Sequence, residues 1–172
     1  DVRLPAAQAF AYANQVDEIA IDCDQPKLGI AAPGKAYLDV REALVLLGLD
    51  VQAARDLGIK VYKIGLSWPI EPRRAVEFAT GPEEILVVEE KRGFVEEQLK
   101  TLLYNKTGVT RRIVGKHDED GKPLLPSHYV INPTIVARAI VERLRQFTDV
   151  TELERRVEAA ESAERQAEGN AA

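Results

Sequence analysis

Apolar and polar residues along this chain form two patterns that follow one another. Short apolar runs rich in Ile, Val and Leu predict strands, and they lie at 18–22, 27–32, 59–66, 85–88 and 112–115. Apolar positions that recur every three to four residues predict helices at 4–13, 36–47, 53–57, 72–79, 95–103 and 133–144. Gly48, Gly58 and Gly81-Pro82 lie where helices should end.

The order of these elements predicts the fold class, which is α/β. Strands separated by helices imply right-handed crossovers, and therefore a three-layer α/β/α arrangement around a mostly parallel sheet of about five strands. The run at 27–32 follows the run at 18–22 closely. We expect these two strands to pair antiparallel, with 18–22 as the edge strand.

The same pattern divides the chain into three parts. We expect a leading helix at 1–16, an α/β domain at 17–147 and a charged helical linker or tail at 148–172. From Thr151 onward the apolar stripe thins to alanines among many charges, so this segment is expected to project as a linker or to dock elsewhere. The chain has no methionine and starts with Asp1, and we expect it to be a piece cut from a longer protein.

Composition narrows the classes of function. The 172 residues, 45% apolar and 30% charged, suit one ordinary globular domain. The formal charge of -5 is too balanced for a protein whose main partner is nucleic acid. No apolar run approaches the roughly 20 residues that cross a bilayer. We therefore expect neither a nucleic-acid nor a membrane partner, and a cytoplasmic location.

Few residues are available for metal or nucleophilic chemistry. One cysteine, Cys23, and two histidines, His117 and His128, exclude an internal disulfide and a zinc ribbon. The aspartates beside Cys23 would raise the pKa of its thiol, which favours a structural role. The acidic stretch at 118–121 lacks the alternating ligands of a calcium loop and predicts a hairpin turn. We assign no catalytic residue and no metal ligand.

The segment Gly29–Lys35 matches the G-x-x-x-x-G-K frame that cradles phosphates. Ala36 follows where that frame needs a hydroxyl, and Pro33 removes a backbone N–H donor from the loop. The segment is therefore interpreted as a strand-to-helix turn. The alternative is a nucleotide- or CoA-binding α/β module that uses this degenerate P-loop.

Charged and aromatic residues gather where the predicted parallel strands end. In open α/β sheets, ligands and partners meet this carboxyl edge. The candidate interface or anion-binding rim consists of Lys35, Trp68, Glu89, Glu90, Lys91, Arg92 and Lys116. Two interpretations remain open: the rim binds an anion or docks a domain, or Glu89 and Glu90 simply neutralise Lys91 and Arg92.

Four stretches in order resemble one enzyme family. They are Leu28–Leu44, Gly65–Pro69, Leu86–Arg92 and Gly115–Ser127. These motifs resemble the thiamine-diphosphate-dependent 2-oxoacid:ferredoxin oxidoreductases, specifically the indolepyruvate branch, over about residues 10–144. The matching region is similar to that family's transketolase C-terminal-type domain, an α/β fold with one antiparallel strand.

The resemblance also implies a function. The parent enzyme is expected to decarboxylate an aryl 2-oxoacid on thiamine diphosphate and Mg, pass electrons through [4Fe-4S] clusters to ferredoxin, and form acyl-CoA. This piece has one cysteine, whereas such a cluster takes four thiolates, so no cofactor is expected in it. We expect a non-catalytic structural domain of an oligomeric parent, whose partners are the neighbouring pyrimidine-binding and diphosphate-binding modules.

Overall fold

A computed structural model describes residues 2–110, 112–128 and 130–170, without the side chains of residues 168 and 170. The described helices are α1 (Arg3–Ala13), α2 (Gly34–Leu46), α3 (Val51–Asp56), α4 (Pro72–Ala79), α5 (Phe94–Leu103), α6 (Pro133–Leu144) and α7 (Thr151–Asn170). The described strands are β1 (Glu18–Ile21), β2 (Leu28–Pro33), β3 (Ile59–Ile64), β4 (Glu84–Val87) and β5 (Arg112–Val114).

The five strands form one sheet in the order β1-β3-β2-β4-β5. Strands β3, β2, β4 and β5 are parallel to their neighbours, and β1 is antiparallel to β3. One face packs its apolar side chains against α2, α3, α6 and the start of α7, and the other face packs against α4 and α5. The predicted three-layer α/β/α class with an antiparallel edge strand is confirmed.

The expected pairing of β1 with β2 is wrong. Strand β2 lies at the centre of the sheet with parallel neighbours on both sides, so it has no free edge for β1. Instead, Glu18 of β1 pairs with Lys63 of β3. Buried Asp17 stabilises this arrangement, because its carboxylate accepts hydrogen bonds from the Tyr62 hydroxyl at 3.0 Å and from the Gly65 amide at 2.7 Å.

The first half of α7 packs on the domain itself. Leu153 and Val157 of α7, together with Val150 just before it, are buried in the cluster that fills the α2–α6 face of the sheet. Farther along α7, Glu164 accepts a hydrogen bond of 2.6 Å from the hydroxyl of Thr134 on α6. The start of this helix therefore belongs to the core, and the division of the chain at residues 16 and 147 stays a prediction.

Candidate docking site at the carboxyl edge of the sheet

The carboxyl ends of β2, β3 and β4 open into a cleft of about 380 Å³. Its walls include the turn between β2 and α2, the residues after β3, and Glu89 and Glu90 after β4. Of the sequence-predicted rim residues, Lys35, Glu89 and Glu90 line this cleft, because parallel strands end at one edge of a sheet. Their individual contacts determine which of them a partner can reach.

Lys35 lies in the first turn of α2, and its charge is paired within the chain although its side chain is about half exposed. Its ammonium donates to the Asp39 carboxylate at 2.7 Å and to the Ile131 carbonyl at 3.0 Å, and it lies 3.6 Å from the carboxylate of Glu90. The hydrogen bond to Asp39 raises the pKa of Lys35, with a further contribution from Glu90. This lysine ties α2 to the segments that follow β4 and precede α6.

Glu89 has an equally specific internal partner. Its carboxylate accepts hydrogen bonds from the backbone amides of Val95 at 2.8 Å and Glu96 at 2.9 Å, which are the first unpaired donors of α5. The side chain is buried, and burial raises the pKa of Glu89 although the two amide bonds oppose this shift. A carboxylate of the chain thus occupies the position at the start of α5 where an external anion would bind.

Lys116 lies inside the protein, only 6% exposed. Its ammonium donates to the backbone carbonyls of Glu89 at 2.5 Å and Pro126 at 3.0 Å. Burial lowers the pKa of Lys116, and the nearby carboxylates of Glu89 and Glu96 oppose that shift. Lys116 therefore holds the segment after β5 against the end of β4 and is not open to a ligand.

Glu96 completes this network, and its role was not anticipated from the sequence. Although it pairs with Lys100 one turn along the helix, Glu96 is only 7% exposed. Its carboxylate accepts the Lys116 amide at 3.0 Å and pairs with the Lys100 ammonium at 2.5 Å. Val95, Glu96 and Leu99 share the buried side of α5, so helical spacing was the available signal.

Trp68, Lys91, Arg92 and Phe94 remain exposed, and together they form what we call the rim patch. The rings of Trp68 and Phe94 lie 5.7 Å apart, with 57% and 49% of these residues exposed. Gln98 of α5 fixes the loop that carries Trp68, since its amide donates to the Ser67 carbonyl at 2.9 Å.

Lys91 and Arg92 are the cations of the rim patch. Neither has an acidic partner within 4.0 Å among the described residues, because Glu89 caps α5 and Glu90 faces Lys35. The described contacts therefore do not support the interpretation in which Glu89 and Glu90 neutralise these two cations. An aromatic pair beside unpaired cations suits a protein partner.

The contacts around the P-loop-like segment disfavour phosphate binding. Strand β2 extends to Pro33, which places Gly29 inside the sheet, where an added Cβ would lie 2.8 Å from the ring of Phe78. The lysine of the frame is held by Asp39 and Glu90. The predicted strand-to-helix turn is confirmed, since β2 passes into α2 at Gly34.

The residues of this chain do not fit the metal groups that the resemblance implies. A [4Fe-4S] cluster takes four thiolates, whereas the chain has one cysteine, whose sulfur lies 3.7 Å from the Ile59 carbonyl. Burial raises the pKa of Cys23. In the part of the chain that the structure describes, no group of three or more His, Cys, Asp or Glu side chains is placed to hold a metal ion.

None of the helices within the described ranges is both long enough and apolar enough to cross a membrane.

Comparison with known proteins identifies relatives. Residues 18–167 match the model of the indolepyruvate oxidoreductase domain. The chain is 35% identical to indolepyruvate oxidoreductase subunit IorA of Pyrococcus abyssi over 124 residues, which cover 72% of this chain and 16% of that protein. It is 31% identical to the IorA subunit of Methanothermobacter marburgensis over 163 residues, covering 95% of this chain and 24% of that one.

A solved structure shares the fold. It is a split gene transketolase, an inactive beta4 tetramer, with a TM-score of 0.51 and 17% identity, over 75% of this chain and 41% of that one. The chain thus spans less than a quarter of the curated relatives' length and has a transketolase-like fold. The resemblance carried by the four sequence motifs is confirmed: the chain belongs to the indolepyruvate oxidoreductase domain family.

Proposed function

We propose that this chain is a non-catalytic assembly domain of a larger, cytoplasmic indolepyruvate-type ferredoxin oxidoreductase. In this proposal the parent enzyme depends on thiamine diphosphate, Mg and [4Fe-4S] clusters, and oxidises aryl 2-oxoacids to acyl-CoA while reducing ferredoxin. Those groups would be bound by other modules and subunits. The present domain would stabilise the assembly of the pyrimidine-binding and diphosphate-binding modules.

One observation carries the proposal: among the described residues of the carboxyl edge, the charged groups are satisfied by contacts within the chain, whereas the aromatic and cationic side chains of the rim patch stay exposed. Lys35, Glu89 and Lys116 are all held by contacts within the chain. A cofactor site would need such groups to be available for a ligand, whereas a docking surface needs exposed aromatic and cationic side chains. This contrast supports assembly over cofactor chemistry.

The first test reverses the two cations of the rim patch in the full-length parent enzyme. We expect Lys91→Glu/Arg92→Glu to reduce the assembled fraction in native mass spectrometry by at least tenfold, because charge reversal at an interface costs several kcal/mol. Indolepyruvate-dependent ferredoxin reduction should fall in parallel. Normal assembly with normal ferredoxin reduction would refute the assembly role.

A matched double reversal elsewhere serves as the control. Lys106 and Arg155 are exposed and lie outside the rim patch. Among the described residues, these two cations make one ion pair, the exposed contact of Arg155 with Glu152 at 3.5 Å. Such a pair contributes little to stability. We expect Lys106→Glu/Arg155→Glu to assemble normally, which separates a specific effect of the rim patch from a general effect of charge.

The isolated chain tests the non-catalytic part separately. Calorimetry with thiamine diphosphate and Mg, and in separate titrations with ATP and CoA, should give no heat of binding. Tight binding of thiamine diphosphate would contradict the assignment of that cofactor to other modules. Tight binding of ATP or CoA would favour the alternative of a nucleotide- or CoA-binding module.

A further inference from the structure

Helix α2 carries an outward ridge that no described part of the chain covers. Its buried side is formed by Ala36, Asp39, Val40, Ala43 and Leu44. On the opposite side lie Leu38, Arg41, Glu42 and Val45, which we call the α2 ridge. Leu38 is 64% exposed and Val45 is 67% exposed, so the ridge presents two large apolar side chains seven residues apart.

The charges of the α2 ridge lie between its apolar residues. Arg41 contacts only the Tyr37 hydroxyl, at 3.2 Å, among the hydrogen-bond partners that the structure describes, and its guanidinium lies 6.0 Å from the centre of that ring. Within the described ranges, neither Arg41 nor Glu42 has an oppositely charged partner within 4.0 Å. Along the helix, the side chains of the ridge are therefore apolar, positive, negative and apolar in turn.

We propose that the α2 ridge is a self-association surface and that its partner is α2 of a second copy of this chain. Two helices that cross antiparallel about a two-fold axis between Arg41 and Glu42 place each arginine opposite the partner's glutamate. The same symmetry places each Leu38 opposite the partner's Val45. In this arrangement each charge meets an opposite charge and each apolar residue meets an apolar residue of the second copy. The surface is therefore self-complementary, as a two-fold interface requires.

The expected strength follows from the size of this surface. A single helix pair buries less area than the roughly 1,200 Å² of a small stable interface. We therefore expect dissociation of the dimer at about 10–500 μM, within the weak range of specific complexes. The proposal does not depend on the assembly role of the rim patch, which lies on different elements.

The test measures the mass of the 172-residue chain by sedimentation equilibrium from about 10 μM to about 1 mM, the range in which such a weak dimer dissociates. We expect a reversible monomer–dimer equilibrium. Arg41→Glu and Glu42→Arg should each weaken it by at least about tenfold, because each places like charges opposite one another twice. The double variant Arg41→Glu/Glu42→Arg should restore association to within about threefold, since opposite charges again face each other.

A matched pair of apolar substitutions completes the experiment. Val45→Lys should abolish the dimer, whereas Val130→Lys, at a residue of similar exposure outside α2, should leave it intact. Circular dichroism confirms that each variant is folded. A chain that stays monomeric up to 1 mM, or a dimer that ignores the single reversals or is not restored by the double reversal, would overturn the proposal.

Discussion

At the scale of single residues, Gly115 shows how tightly the buried network at the carboxyl edge is packed. A methyl group added there would lie 2.8 Å from the carboxyl carbon of Glu96 and 3.1 Å from the Val87 carbonyl oxygen. We expect Gly115→Ala to lower the free energy of unfolding by about 1–3 kcal/mol, because the Glu96 carboxylate must move away from the Lys116 amide. Urea unfolding of the isolated chain measures this loss.

Gly169 provides the matched glycine substitution. It lies near the end of α7, and no atom lies within 4 Å of an added Cβ. Gly169→Ala should leave the urea midpoint unchanged or raise it slightly, because alanine favours helix. If Gly115→Ala also left the urea midpoint unchanged, the close packing of Gly115 against Glu96 would be incorrect.

At the scale of elements, one buried ion pair joins α6 to β4. The Arg143 guanidinium donates to both oxygens of Glu84, at 2.6 and 2.8 Å, and both residues are almost wholly buried. We expect Arg143→Met to cost about 3–5 kcal/mol, since it leaves a buried carboxylate without its main partner. Glu84→Met/Arg143→Met should cost less than the sum of its single changes, as double-mutant analysis of urea unfolding would show.

An exposed ion pair gives the comparison for this element contact. Lys27 lies 2.6 Å from Glu83, next to Glu84 in the sequence, and about half of each side chain is exposed. Lys27→Met should cost less than about 1 kcal/mol, the usual range for a surface pair. Equal costs for Arg143→Met and Lys27→Met would show that burial does not set the strength of the α6–β4 contact.

Most helices and strands could be predicted because the residues that start, stop and pattern each of them lie within or next to the element itself. Asn132 before Pro133 marks the start of α6, and its side chain accepts the Ile135 amide at 2.8 Å as a helix cap should. The partner of β1 could not be predicted, because pairing with β3 depends on Asp17 reaching Gly65, far along the chain. Lys35, Glu89 and Glu90 line the cleft at the carboxyl edge, as the ends of parallel strands allow. The burial of Lys116 depends on the Pro126 carbonyl, which periodicity does not reveal.

At the scale of the whole molecule, the start of α7 determines where the stable unit ends. Val150, Leu153 and Val157 are buried in the larger hydrophobic cluster. We expect a chain that ends after Asp149 to lose several kcal/mol of stability, at about 1.5–3 kcal/mol for each fully buried apolar side chain. Thermal and urea unfolding of this shortened chain measure the loss.

A second truncation separates burial from helix length. A chain that ends after Ala160 keeps all three apolar residues and loses mainly the surface contacts of Glu161 and Glu164 with α6. Its free energy of unfolding should lie within about 1–2 kcal/mol of that of the full chain, because partly exposed pairs contribute little to stability. If both truncations unfolded at the same midpoint, the first turns of α7 would not be part of the core.

The two outer strands have a consequence for the behaviour of the chain at high concentration. β1 has four residues and an irregular register between Ile19 and Ile21. Among the described residues, β5 has three and carries Arg112. Short, bulged or charged borders of this kind discourage strands of neighbouring molecules from adding to a sheet. The sheet is thereby protected against open-ended polymerisation, which favours contacts with other chains through helices and loops.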